Sequence, residues 1–178
     1  IGSSANRGYR DCAIVAQMVK GRKVAPQVSF DVNPTSRQLL EELLAEGEMN
    51  LLVRAGARLH QAGCNGCIGM GQAPASGKVS LRTVPRNFPG RSGTIDDQVY
   101  LCSPETAAAS ALTGVITDPR TLEMPYPKVK IPKKRILNKD MLIPPLPEAE
   151  AIQVELVKGP NIQALPSMDA LPDRLEMP

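Results

Sequence analysis

The sequence predicts an α/β fold on a mainly parallel sheet, followed by an extended, proline-rich C-terminal connector. Three observations predict it. Short β-branched or apolar runs alternate with helix-patterned stretches up to about residue 118. Small polar, glycine-containing loops punctuate them at 1–8, 63–71 and 85–93, and in parallel sheets such loops gather ligands beyond the strand carboxyl ends. Beyond them, proline takes over: 6 of the 17 prolines lie before Pro119 and 11 lie between Pro119 and Pro178. Proline lacks an amide donor and blocks helix interiors, so that stretch forms no regular layer.

Each element has its own signal. Asp11 to Lys20 carries Ala13, Ile14, Ala16, Met18 and Val19, mostly on one side of a helix, with Gly21 as its stop. Val28 to Val32 is β-branched and aromatic and reads as a strand. Thr35 is placed to cap a helix striped by Leu39, Leu40, Leu43 and Leu44. A second helix runs from Met49 to Ala55 and ends near Gly56, and Ala57 to His60 enters the cysteine loop as a short strand. Val79 to Val84 and Gln98 to Cys102 are further strands. Ser103-Pro104-Glu105 opens an Ala-rich helix to Leu112, with Pro at its first position and an acid in its first turn. Within the connector, Ala151 to Val157 reads as one short strand.

Composition narrows the function classes. The chain has 178 residues, 42% hydrophobic, enough for a core. A net charge of +3 and 3% aromatic content argue against nucleic-acid binding. The basic cluster Lys128, Lys130, Lys133, Lys134, Arg135 reads as a solvated surface stretch. No apolar run approaches the roughly 20 residues that span a bilayer, and no signal peptide is recognised, so no membrane partner is expected and a reducing, cytoplasmic setting is. The chain begins at Ile1 and enters a motif at once, which is read as a fragment.

Three loops carry chemistry. In Gly63-Cys64-Asn65-Gly66-Cys67-Ile68-Gly69-Met70-Gly71, two thiols three positions apart can hold two corners of a metal site, on a loop read as opening a helix. The same spacing serves a redox dithiol, and spacing alone does not choose. In Pro85-Arg86-Asn87-Phe88-Pro89-Gly90-Arg91-Ser92-Gly93, two guanidinium groups can converge on carboxylates, although exposed, ion-paired arginines are the commoner outcome. Ile1-Gly2-Ser3-Ser4-Ala5-Asn6 alone is a capping loop. His60, the only histidine, is assigned a structural role, and Cys12 and Cys102 are assigned to packing.

Taken together, IGSSAN, GCNGCIGMG, PRNFPGRSG and CSPETAAASALTG resemble, in order and in one register over about residues 1–120, four segments of the aconitase superfamily. Those are an Ile-Gly-Ser-Cys-Thr-Asn loop, a Cys-Gly-x-Cys-x-Gly loop, an Asn-Arg-Asn-Phe-x-Gly-Arg loop and a Ser-Pro-Glu helix. The resemblance implies a three-layer cluster-binding domain at 1–120, like the family's third domain, and a linker at 121–178 toward a swivel domain. It implies a 4Fe–4S cluster as cofactor, with ligand positions at Cys64, Cys67 and Ser4. It implies substrate contacts at Arg86, Arg91 and Asn6. The substrates implied are citrate, cis-aconitate and isocitrate, interconverted by dehydration and rehydration in the tricarboxylic acid cycle, with the other domains of the same protein as partners. The proton-moving groups of the family fall outside this chain, so no catalytic residue is assigned and the isolated chain is expected to be silent.

The sequence departs from the family at two positions: the third cluster cysteine falls on Ser4, and the asparagine before the first arginine falls on Pro85. The connector favours the long single-chain form over the shorter isopropylmalate isomerase large subunit. Homoaconitate or 3-isopropylmalate dehydratase is the near alternative. A cluster-free scaffold or an RNA-binding regulatory domain is the alternative from another class.

Overall fold

Residues 9–19 form the helix around which the first part of the molecule is built. The computed structural model describes residues 1–2, 8–155, 157–168 and 170, and divides them into two units, Ile1–Asn138 and Lys139–Pro178. Helix α1 (Tyr9–Val19) buries Cys12, Ala13, Ile14, Val15, Ala16, Met18 and Val19. A helix apolar on almost every side is stable only when neighbours cover it all round. Here α2 (Arg37–Ala45), α3 (Glu48–Ala55) and α4 (Pro104–Thr113) do so. The small residues Ala107, Ala108, Ala109 and Ala111 let α4 approach α1 closely, and Leu43, Met49 and Leu52 fill the other side.

The helix ends follow local chemistry. Ser103 Oγ accepts the Thr106 amide at 3.1 Å and Pro104 sits in the first turn, as the sequence indicates; α4 runs one residue past Leu112, and Gly114 closes it in the left-handed region. At α2 the cap is Ser36, not Thr35. Ser36 has the extended backbone (φ −150°, ψ 165°) from which its Oγ reaches the Leu39 amide at 3.1 Å.

The α/β character is present, but the strands are short. Strand β1 (Asp31–Val32) pairs in parallel with β2 (Arg58–Leu59), and β3 (Val79–Arg82) pairs in parallel with β4 (Gln98–Leu101). The run expected at 28–32 contributes only its last two residues to a strand, because the ladder reaches only from Phe30 O, which accepts the Arg58 amide, to Val32 O, which accepts the His60 amide. On the other side of β1, Gly2 bridges Asn33 in parallel.

After α4, residues 119–138 lack regular structure except for a 3-10 turn at Pro119–Thr121, yet they are fastened to the first unit. Leu122, Met124 and Val129 pack on its core. Tyr126 donates to Glu105 Oε1 at 2.9 Å and accepts from Arg10 at 3.1 Å. Arg135 is not merely solvated: it pairs with the buried Glu42 carboxylate and lies 6.0 Å from the Tyr9 ring centre.

The second unit contains a 3-10 turn at Lys139–Met141 and the four-residue helix α5 (Glu148–Ala151). The strand expected at 151–157 is absent among its described residues. A β-branched run gains from a strand only against a neighbouring ladder and a face to pack on. Ile152 and Val157 have neither and stand 84% and 89% exposed.

Candidate functional site

The cysteine loop is built by glycine. It forms a one-turn 3-10 segment at Gly66–Ile68 rather than the start of a longer helix, because Gly69 turns the chain left-handed at φ 85°. Gly69 also lies against the arginine loop: a Cβ there would sit 2.1 Å from the Ser92 carbonyl oxygen. A side chain at Gly69 would therefore push the two loops apart.

This turn brings the cysteines together. Cys64 and Cys67, with Cα atoms 5.7 Å apart, are paired as a disulfide, and the Cys67 sulfur lies 3.1 Å from the Cys64 carbonyl. Cys67 is buried at 3% exposure. Two sulfurs at one point are the requirement shared by a dithiol–disulfide couple and by two corners of a metal site.

The arginine loop reaches this pair with one of its two cations. Arg91 is half-buried, its Nη2 lies 3.6 Å from Cys67 Sγ, and its guanidinium stacks 5.8 Å from the Phe88 ring centre. Arg86, on the other arm, is exposed and makes no hydrogen bond or ion pair among the described residues. Ser4 and Asn6 lie outside the described residues. Among the described residues no group of three or more His, Cys, Asp or Glu side chains converges on one point.

Sequence reasoning missed Arg82. Only 8% exposed, it donates from Nη1 to Gly66 O at 2.7 Å, from Nη2 to Gln72 O at 2.5 Å and from Nε to Ser80 Oγ at 3.1 Å. Burial lowers its pKa, and the nearby Asp97 and Asp31 carboxylates oppose that shift. The sequence signal was weak: an arginine at the end of an apolar strand run, just before the loop. Next along the chain, buried Thr83 accepts the Gly2 amide at 3.0 Å.

His60 behaves as expected of a structural histidine. Its Nε2 lies 2.7 Å from Asp31 Oδ1, while Ser29 donates to Asp31 Oδ2 at 2.8 Å. Cys12 is fully buried on α1, whereas Cys102 is only partly covered.

A cavity of about 780 Å³ runs beside β1 and β3, lined in part by Asp31, Asn33, Gly66, Gln72, Arg82 and Thr83. It borders the back of the cysteine turn; Cys64, Cys67, Arg86 and Arg91 do not line it. The cysteine–arginine chemistry therefore lies outside this cavity, and we place the candidate site at the turn, on the donor atoms rather than on cavity size.

Comparison with known proteins bears on this arrangement. The aconitase (aconitate hydratase) family model matches residues 1–114. The homoaconitase large subunit of Thermus thermophilus is 44% identical over 125 residues, 69% of this chain and 30% of that subunit. The 3-isopropylmalate dehydratase large subunit of Solibacter usitatus is 44% identical over 123 residues, 68% of this chain and 26% of that subunit. That of Methanoregula boonei is 45% identical over 121 residues, 67% of this chain and 29% of that subunit. The chain thus spans less than a third of the length of these relatives. The relatives named here are large subunits, which runs against the expected preference for the long single-chain form. With the matched region carrying both the cysteine turn and the arginine loop, the chain belongs to the aconitase family.

Proposed function

We propose that this chain is the cluster-binding and carboxylate-binding part of an iron–sulfur hydro-lyase of the 3-isopropylmalate dehydratase or homoaconitase type. The observation that carries the reading is the contact of Arg91 with Cys67, 3.6 Å from nitrogen to sulfur. A guanidinium that recognises carboxylate is useful beside a thiolate pair when the substrate is an acid brought to the metal those thiolates hold.

The family's cofactor is a 4Fe–4S cluster. The residues here fit two of its corners, since two sulfurs converge on one turn. When bound, such a cluster supplies an iron without a protein ligand as a Lewis acid for a substrate hydroxyl and carboxylate. In this reading the Cys64–Cys67 disulfide is first reduced by two electrons from a cellular thiol, Cys64 and Cys67 are then thiolate ligands, and Ser4 takes the third position with a harder oxygen donor. Arg91 and Arg86 hold substrate carboxylates, and Asn6 contributes a polar contact. The residues that move protons come from elsewhere in the protein.

Domain roles belong to the same proposal. Residues 1–120 act as the cluster domain of a three-layer α/β assembly, and 121–178 lead toward a swivel domain. A small subunit is the partner suggested by relatives named as large subunits. Among the described residues no helix is long and apolar enough to cross a membrane, and a reducing, cytoplasmic setting is part of the reading.

Citrate and isocitrate remain the second reading. The family description, which reads aconitate hydratase, favours it. The test is turnover by the whole, reconstituted protein with 3-isopropylmalate, homoisocitrate and citrate, each followed by formation of the unsaturated acid. We expect 3-isopropylmalate or homoisocitrate to be dehydrated with the largest kcat/KM. Preference for citrate would return the assignment to aconitate hydratase. No dehydration of any of them, with a full cluster present, would refute the reading.

A further inference from the structure

Arg82 lies outside the motifs quoted above, yet it is the cation buried most directly at the cysteine turn. Each of its three nitrogens donates to an acceptor on a different segment: Gly66 O in the turn, Gln72 O just after it, and Ser80 Oγ on its own strand. Gly66 O also accepts the Gly69 amide at 3.1 Å, so the clamp falls on the carbonyl that closes the 3-10 turn. The backbone of Arg82 is equally fixed, because its carbonyl accepts the Cys102 amide at 3.0 Å beyond the end of β4. No carboxylate forms an ion pair with this guanidinium among the described residues. Its hydrogen bonds go only to neutral oxygens, with the Asp97 and Asp31 carboxylates acting on it from a distance, so the guanidinium is free to serve as a clamp on backbone carbonyls.

We propose that Arg82 is a positioning residue for the cysteine turn: its planar fork ties the Gly66 and Gln72 carbonyls to β3 and holds Cys64 and Cys67 in the spacing that ligation needs. The metal-binding side of this proposal rests on the function proposed above; the clamping of the turn does not. A lysine at this position keeps the charge but offers one nitrogen in place of three, so it cannot span the same acceptors. Gly66 and Gly69 bring no side chains of their own to the turn, so once the Cys64–Cys67 link is reduced the restraint on its backbone carbonyls comes from a neighbouring strand.

The test uses the whole protein carrying Arg82→Met or Arg82→Lys. Hydrogen exchange is followed in the cluster-free protein, and decay of the sulfur-to-iron charge-transfer absorption in air is followed in the reconstituted protein. Loss of two charge-assisted bonds should speed exchange at residues 64–72 by about ten-fold or more in the Met variant, part-way in the Lys variant, with α1 unchanged. The absorption should decay at least about five-fold faster in both, a change a purely structural arginine would not produce. Exchange at 64–72 equal to wild type in both variants would overturn the proposal. So would faster exchange with unchanged cluster decay. If the Met variant loses protection in α1 as well, the Lys variant decides. A wild type that takes up no cluster would refute the function proposed above, and the exchange result would still decide the clamp.

Discussion

The Arg91 guanidinium lies 3.6 Å from the Cys67 sulfur and also stacks 5.8 Å from the Phe88 ring centre. It thus joins the carboxylate-binding loop to the thiol-bearing turn, and the absence of a side chain at Gly69 lets the two backbones meet. Arg91→Lys keeps a positive charge but loses the bidentate fork and the flat face that stacks. We expect kcat/KM to fall about 10- to 100-fold, the range of one or two charge-assisted hydrogen bonds, with cluster content unchanged. Steady-state kinetics with iron and sulfide analysis on the same samples checks this. An unaltered KM would remove Arg91 from substrate binding.

Ser4 gives the second prediction. Oxygen is a harder donor than sulfur and holds iron–sulfur iron less well. Ser4→Cys should lengthen the lifetime of the reconstituted cluster in air several-fold, read as decay of visible absorption. An unchanged lifetime would place the third ligand elsewhere in the protein.

Glu42 and Arg135 give the third. Glu42 is 4% exposed, its Oε1 has no partner among the described residues, and Arg135 is the cation that pairs with it. Removing that cation strands a buried charge. Arg135→Ala should destabilise the protein by about 1–3 kcal/mol, reduced from the fully buried case because Arg135 is half exposed. Glu42→Leu combined with Arg135→Met should recover most of the loss. Urea midpoints for the single and double variants test it.

Alkaline pH gives the fourth. Burial, reinforced by Glu48, Glu46 and Glu42, pushes the Tyr9 hydroxyl up to about 12 from its ordinary 10. The neutral phenol is therefore preferred in the folded state. Its stability contribution is complete below pH 10 and is lost as pH rises toward 12, because the unfolded chain releases the proton first. Tyr9→Phe should flatten the fall in stability between pH 9 and 11, by on the order of 1 kcal/mol. Equal slopes for both proteins would contradict this.

The helices were legible because their signals are local. Ser103-Pro104-Glu105 fixes the start of α4 through bonds within four residues, and the apolar residues named on α1 are all buried, although the helix is covered on almost every side and not mostly on one. The cap of α2 shifted by one residue because Thr35 and Ser36 offer the same hydroxyl and only backbone geometry separates them. Strand length was not legible, since a ladder ends where its partner ends; Val28 has the right side chain and no strand to pair with. At the candidate site, Cys64, Cys67 and Arg91 could be named from spacing and resemblance, and the structure brings these three together. Arg82 could not, because its role depends on carbonyls 10 and 16 residues away in sequence. Arg86 stands exposed without a partner among the described residues, and Ser4 and Asn6 lie outside them, so their roles rest on the resemblance.

The measurement that bears most directly on the central claim is anaerobic reconstitution of the whole protein with iron and sulfide, comparing wild type with Cys64→Ala by bound iron, bound sulfide and charge-transfer absorption. The account predicts about four irons and four sulfides per chain in wild type and an absent or rapidly lost cluster in Cys64→Ala. Equal cluster content in the two proteins, or none in wild type, would contradict the assignment of the cysteine turn as the metal site.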